Sequence, residues 1–115
     1  MNKLRKRTVE KVIAQMTSVD KFLACLMLAN GIYFWGTTPR NYKNEETIRR
    51  MCPPKVRQIF NLKNLKRLGV VFPVPKQANL VALEGFGIRV GRKLYESGEA
   101  KKVYEQYGRD FVPLS

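Results

Sequence analysis

The sequence predicts a small all-α domain, a single unit over residues 1–115. Three observations point there. Val9, Val12, Ile13, Met16, Val19, Leu23, Leu26 and Met27 recur at three-and-four spacing, the period of one helix face. Leu62, Leu65 and Leu68 repeat at intervals of three. Helix starters and stoppers punctuate the chain, with Asn44 and Pro54 as starters and Gly31, Gly69 and Gly98 as stoppers. The expected architecture is a long N-terminal helix, a short helix-turn-helix-like pair and a C-terminal helix.

The first helix is expected over about residues 7–30, either continuous or divided where Thr17-Ser18 can cap a second helix. Gly31 ends it. Beyond Phe22 this helix is apolar on nearly every side, and such a helix is normally buried all round. In a chain this short, that burial implies a second subunit and an intertwined homodimer. The expected interface is Val12, Met16, Val19, Phe22, Leu23, Leu26 and Met27. Residues 22–35 carry no charge, but they fall short of the roughly 20 residues needed to cross a bilayer, so no membrane partner is expected. The charged start, residues 1–7, resembles the head of a leader peptide, yet Glu10, Lys11 and Gln15 interrupt any apolar stretch behind it.

Residues 36–44 are rich in turn formers and read as a surface loop. Asn44 is placed to cap a short helix that begins Glu45-Glu46 and carries Arg49-Arg50 near its end, the charge order that suits a helix dipole. Pro53-Pro54 ends it, and Pro54 suits the first position of the next helix. Val56, Ile59 and Phe60 are expected to face inward, followed by the three leucines. Two short helices with a tight join give the helix-turn-helix outline. Val70 to Pro75 reads as extended, with Pro73 and Pro75 confining it to an edge strand or packed loop. A last well-formed helix is expected over about residues 79–97, burying Leu80, Leu83, Val90 and Leu94. Gly85, Gly87 and Gly91 weaken it but permit close helix approach or a bend. The tail, residues 99–115, carries Tyr104, Tyr107 and Phe111 and suits a short docking helix.

Charge bounds the function. The chain has 22 Lys plus Arg against 9 Asp plus Glu, a net charge of +13. Such a surplus repels itself unless a polyanion neutralises it, so nucleic acid is the expected partner. There is no histidine, the commonest general base and metal ligand, and Glu45-Glu46 are helix neighbours that do not face one another. Gly85-Phe86-Gly87 followed by Gly91 matches no phosphate-loop pattern. The reading is a binding protein without cofactor or metal, and no enzyme. Cys25 is expected as a buried apolar residue and Cys52 as a boundary residue. Two cysteines without metal-ligand spacing suit a reducing cytoplasm. The basic residues expected to contact DNA are Arg49, Arg50, Lys55, Arg57, Lys63, Lys66, Arg67, Arg89, Arg92 and Lys93. Tyr33, Trp35 and Tyr42 are candidates for stacking on bases, although packing at a helix exit explains them as well.

The middle of the chain resembles the FlhD family, one subunit of the FlhD–FlhC transcriptional activator. The resemblance runs from Asn44-Glu45-Glu46 through Met51-Cys52-Pro53-Pro54-Lys55-Val56 to Leu65-Lys66-Arg67-Leu68-Gly69-Val70-Val71-Phe72, with the later Gly87-Ile88-Arg89-Val90-Gly91 and the early Phe22-Leu23-Ala24-Cys25-Leu26. It covers about residues 15–100 and rests on order and spacing. The family's cysteine before its extended piece has no counterpart near Gly69-Val70, and this chain is far more basic. The resemblance implies a homodimer joined to an FlhC-like subunit that carries zinc. That complex would recruit RNA polymerase at promoters of flagellar or conjugative-transfer type genes, on double-stranded DNA. Two alternatives stand beside it. One is a stand-alone phage or plasmid helix-turn-helix repressor. The other is a charge-driven RNA- or nucleoprotein-binding protein.

Overall fold

The computed structural model describes residues 8–35, 38–39, 42–74, 77 and 79–114. Helix α1 (Val9–Ala14) starts at Thr8, whose hydroxyl accepts the amide of Lys11 at 3.1 Å. Helix α2 (Ser18–Ala29) starts anew at Thr17. The Thr17 hydroxyl accepts the Asp20 amide at 3.1 Å, and the Asp20 carboxylate accepts the Thr17 amide at 2.9 Å. This reciprocal cap satisfies two backbone donors that a continuous helix would hold otherwise. Of the two forms expected for the N-terminal stretch, one continuous long helix or two divided at Thr17-Ser18, the structure has the divided one, because the Thr17 and Asp20 side chains compete with the helical ladder at the join.

Strands β1 (Phe34–Trp35) and β2 (Thr38–Pro39) form a short antiparallel pair, and β3 (Lys43–Asn44) leads into α3 (Glu45–Met51). Asn44 caps α3, its side chain accepting the Glu46 amide at 2.7 Å. Helix α4 (Pro54–Arg57) begins on Pro54 as expected, and α5 (Lys63–Arg67) follows. Then come β4 (Val71–Pro73), β5 (Leu80–Leu83), α6 (Gly85–Glu96) and α7 (Glu99–Gln106). The segment expected as a surface loop at residues 36–44 thus contributes strands, with residues 36, 37, 40 and 41 outside the described set.

The fold is not all-α. Among the described residues, seven helices accompany a three-stranded antiparallel sheet of order β3-β5-β4. The error lies at residues 79–84, expected as the start of the last helix. Asn79 takes a left-handed φ of 69°, which turns the chain back beside β4, and Leu80–Leu83 becomes the central strand. Four apolar residues in a row carry no period, so helix and buried strand look alike there. A central strand is covered on both faces, and Val81, Ala82 and Leu83 are all buried. The stretch from Val71 to Pro73 is an edge strand, in keeping with its proline.

Helix α2 runs through the core. Phe22, Leu23, Ala24, Cys25, Leu26 and Met27 are each 0% exposed, packed by α6, α7 and β5 of the same chain. The cover that the sequence assigns to a second copy is supplied within one chain. Of the expected dimer interface, Phe22, Leu23, Leu26 and Met27 have no surface left, Val12 and Met16 are buried, and Val19 is half-buried. Two glycines set the approach of α6. A Cβ on Gly87 would overlap the carbonyl oxygen of Val70, and one on Gly91 would lie 2.9 Å from Leu28 Cδ2. Helix α7 docks through aromatic rings, with Tyr104 and Tyr107 at 5.2 and 5.6 Å from Phe22. The tail then crosses back. Phe111 lies 5.7 Å from Tyr95, the Tyr95 hydroxyl donates to the Val112 carbonyl at 2.7 Å, and Arg109 donates to the Met51 carbonyl at 3.0 Å. Val56 faces inward and Phe60 is half-buried, but Ile59 is 54% exposed, contrary to expectation.

Candidate nucleic-acid interface

The ten basic residues separate into two groups. Seven lie on α3, α4 and α5. Among them, Arg49 and Arg50 share the Glu46 carboxylate at 3.3 and 3.5 Å, and Lys66 pairs with Glu45 at 2.6 Å. Among the described residues, Lys55, Arg57, Lys63 and Arg67 have no side-chain carboxylate within 4 Å. This asymmetry has a simple cause: residues 47–83 contain eight Lys and Arg and no Asp or Glu. The other group is on α6. There Lys93 reaches Glu10 at 4.0 Å, and Arg89 lies over the Phe86 ring at 5.3 Å. A groove of about 490 Å³ beside Arg89, Arg92 and Lys93 is also lined by Glu10 and Glu96, so acids offset most of its positive charge.

A second groove, about 550 Å³, opens where the α1–α2 join meets α5. Thr17, Val19, Asp20, Ile59, Asn61, Lys63, Asn64 and Arg67 line it. Its floor is Asp20, which is only 3% exposed. A buried carboxylate is costly unless it is hydrogen-bonded, and Asp20 is: its Oδ2 accepts the Thr17 amide and, at 2.6 Å, the Asn64 side-chain amide. Asn64 also donates to the Gln15 carbonyl at 3.2 Å. On its other side, Asn64 Oδ1 accepts Nε and Nη2 of Arg67 at 3.1 and 2.5 Å. The backbone amide of Lys63 donates to the Asn61 side chain at 2.7 Å at the start of α5, which leaves the Lys63 ammonium at the groove unanchored.

Composition and charge patterning locate Lys63 and Arg67 but not Asp20, Asn64 or Ile59. A Thr-x-x-Asp cap is legible at Thr17 and Asp20. That its carboxylate also reaches a residue 44 positions away is not. Of the candidate stacking residues, Tyr42 is exposed and Tyr33 half-buried, while only the backbone of Trp35 is described.

The thiols offer no nucleophile near neutral pH. Burial pushes Cys25 up to about 12, with Glu99 adding to the rise. Burial pushes Cys52 up to about 11, and the nearby Arg109, Arg57 and Arg49 guanidiniums partly offset it. Among the described residues no cluster of His, Cys, Asp or Glu could hold a metal ion. No helix among them is long and apolar enough to cross a membrane. Comparison with protein-family models, with curated proteins and with solved structures found no match.

Proposed function

We propose that this chain binds double-stranded DNA directly and by itself, in line with the stand-alone helix-turn-helix alternative of its sequence, and that the β-hairpin adds a wing to that helix-turn-helix. The observation that carries the proposal is the uncompensated positive charge of Lys55, Arg57, Lys63 and Arg67 on a helix pair that runs straight into a β-hairpin. The order α2, β3, α3, α4, α5, β4, β5 with sheet order β3-β5-β4 is the arrangement of winged helix-turn-helix domains. In such domains the helix before the hairpin enters the major groove and the hairpin lies along the backbone. Here that helix is α5. Arg49, Arg50 and Lys66 share their charge with Glu45 and Glu46 and serve as secondary phosphate contacts. Arg89, Arg92 and Lys93 line a different groove and are left out of the interface.

The test is fluorescence anisotropy with duplex DNA across a salt series, using the purified chain alone. Four free cations on phosphates predict a log–log slope near −4 or steeper. Absence of duplex binding by the chain alone would overturn the proposal. Binding that appears only with a zinc-bearing FlhC-like subunit would return it to an activator subunit. Equal affinity for duplex DNA and structureless RNA would make it a charge-driven binder.

A further inference from the structure

Arg67 differs from every other basic residue on α3–α5. Arg49, Arg50 and Lys66 are held, but by carboxylates that cancel their charge. Lys55, Arg57 and Lys63 keep their charge without an ion pair among the described residues. Arg67 is both held and uncancelled, because its anchor is the neutral amide oxygen of Asn64. Asn64 is itself fixed by two bonds, to the buried Asp20 carboxylate and to the Gln15 carbonyl.

The way it is held decides what it can still do. A guanidinium has five N–H donors in a planar fork. The Nε and Nη2 edge is spent on Asn64. The remaining edge, between Nη1 and Nη2, is the end of the fork that meets two acceptors side by side. Guanine presents such a pair, O6 and N7, in the major groove. Orienting the side chain in the free protein also removes rotamer entropy that binding would otherwise cost. The groove beside Arg67 holds Ile59, 54% exposed although apolar. A phosphate gains nothing from an aliphatic wall, whereas the methyl group of thymine does.

We infer that Arg67 reads a guanine in this surface's target, with Asn64 and Asp20 as its positioning residues and Ile59 against a neighbouring thymine methyl. The inference rests on the duplex-binding reading above and adds to it a sequence preference and its carrier. Phosphate contacts supply affinity without sequence information, so the two are separable by experiment.

Duplexes with a randomised centre are selected at about 150 mM salt, a concentration at which non-specific phosphate binding is already weakened. The wild type is expected to enrich a motif with one strongly required guanine. Arg67→Lys keeps the charge but lacks the fork. It should lose preference at that single position by about tenfold or more, with affinity for random duplex within about twofold. Asn64→Ala keeps Arg67 and all charge, and should weaken preference at the same base. Thermal melts accompany both; should Asn64→Ala unfold, Arg67→Lys decides alone. Selection of the same guanine by Arg67→Lys would overturn the inference, as would duplex binding by the wild type without a guanine-containing motif. In either case the duplex-binding reading survives. A wild type that binds no duplex would sink both.

Discussion

Helices α5 and α6 are both basic and both packed on α2, yet they put their charge to opposite use. On α6 the face toward the core is so close-set that two positions accept only glycine or a small adjustment, and the outward cations meet Glu10, Glu96 and the Phe86 ring. On α5 the leucines face in, and the outward Lys63 and Arg67 border an open groove whose one acid, Asp20, is buried and bonded to Thr17 and Asn64, while Arg67 is held by Asn64. A count of lysines and arginines does not separate these helices. What separates them is where the few acids stand, since an exposed pair with a carboxylate is worth little to stability but removes a charge from the field that a polyanion feels.

The contrast can be broken most directly in the core. Gly87→Ala should destabilise the protein by about 3 kcal/mol, because the added Cβ meets the Val70 backbone rather than a movable side chain. Urea denaturation checks this, and an unchanged midpoint would mean α6 is not the close-set helix described. Next comes charge. Replacing Lys55, Lys63 and Arg67 together by glutamine should weaken binding to random-sequence duplex, where all three meet phosphates, about 30-fold and reduce its salt slope by about three. The matching triple change at Arg89, Arg92 and Lys93 should cost less than about threefold. Equal losses from the two triples would erase the distinction between the helices.

The thiols sharpen the same contrast from inside. Cys52, beside Arg49, Arg57 and Arg109, ionises near 11, and Cys25, beside Glu99, near 12. Both folded values lie above the ordinary 9.0, so the unfolded chain releases these protons first. Stability should hold steady below pH 9 and decline as pH climbs toward 11 and 12, by on the order of 1 kcal/mol per thiol at pH 10. Ultraviolet titration of thiolate should show Cys52 ionising before Cys25; the reverse order would remove the arginines' influence. The smallest effects are at the remaining glycine and the outermost lysine of α6. Gly91→Ala should change stability by under about 1 kcal/mol, since the neighbour is the far end of the Leu28 side chain and alanine favours the helix. Lys93→Ala should fall within about 0.5 kcal/mol by thermal melting.

Much of the local structure was legible. Asn44 capping α3, Pro54 opening α4, the leucine triplet of α5, the edge position of Val71–Pro73 and the aromatic docking of the tail all follow from residue chemistry and short-range spacing. Residues 79–84 differ from the helix the sequence predicts because an aperiodic apolar run fits two elements, and only pairing with β3 and β4 selects the strand. The dimer expectation failed to see that the apolar α2 is covered by α6, α7 and β5, all of which lie more than 50 residues downstream of its centre.

By itself the sequence determined the charge surplus, the acid-free stretch of residues 47–83, the absence of histidine and the ends of most helices. These are properties of composition or of neighbours within one helical turn, where a side chain meets its own backbone. Only the tertiary structure decided which cations stay free, that Ile59 stands exposed, and that Asp20, Asn64 and Arg67 form one chain of hydrogen bonds. Those outcomes depend on contacts across 44 residues of sequence, and no local preference encodes a partner that the fold has yet to bring near.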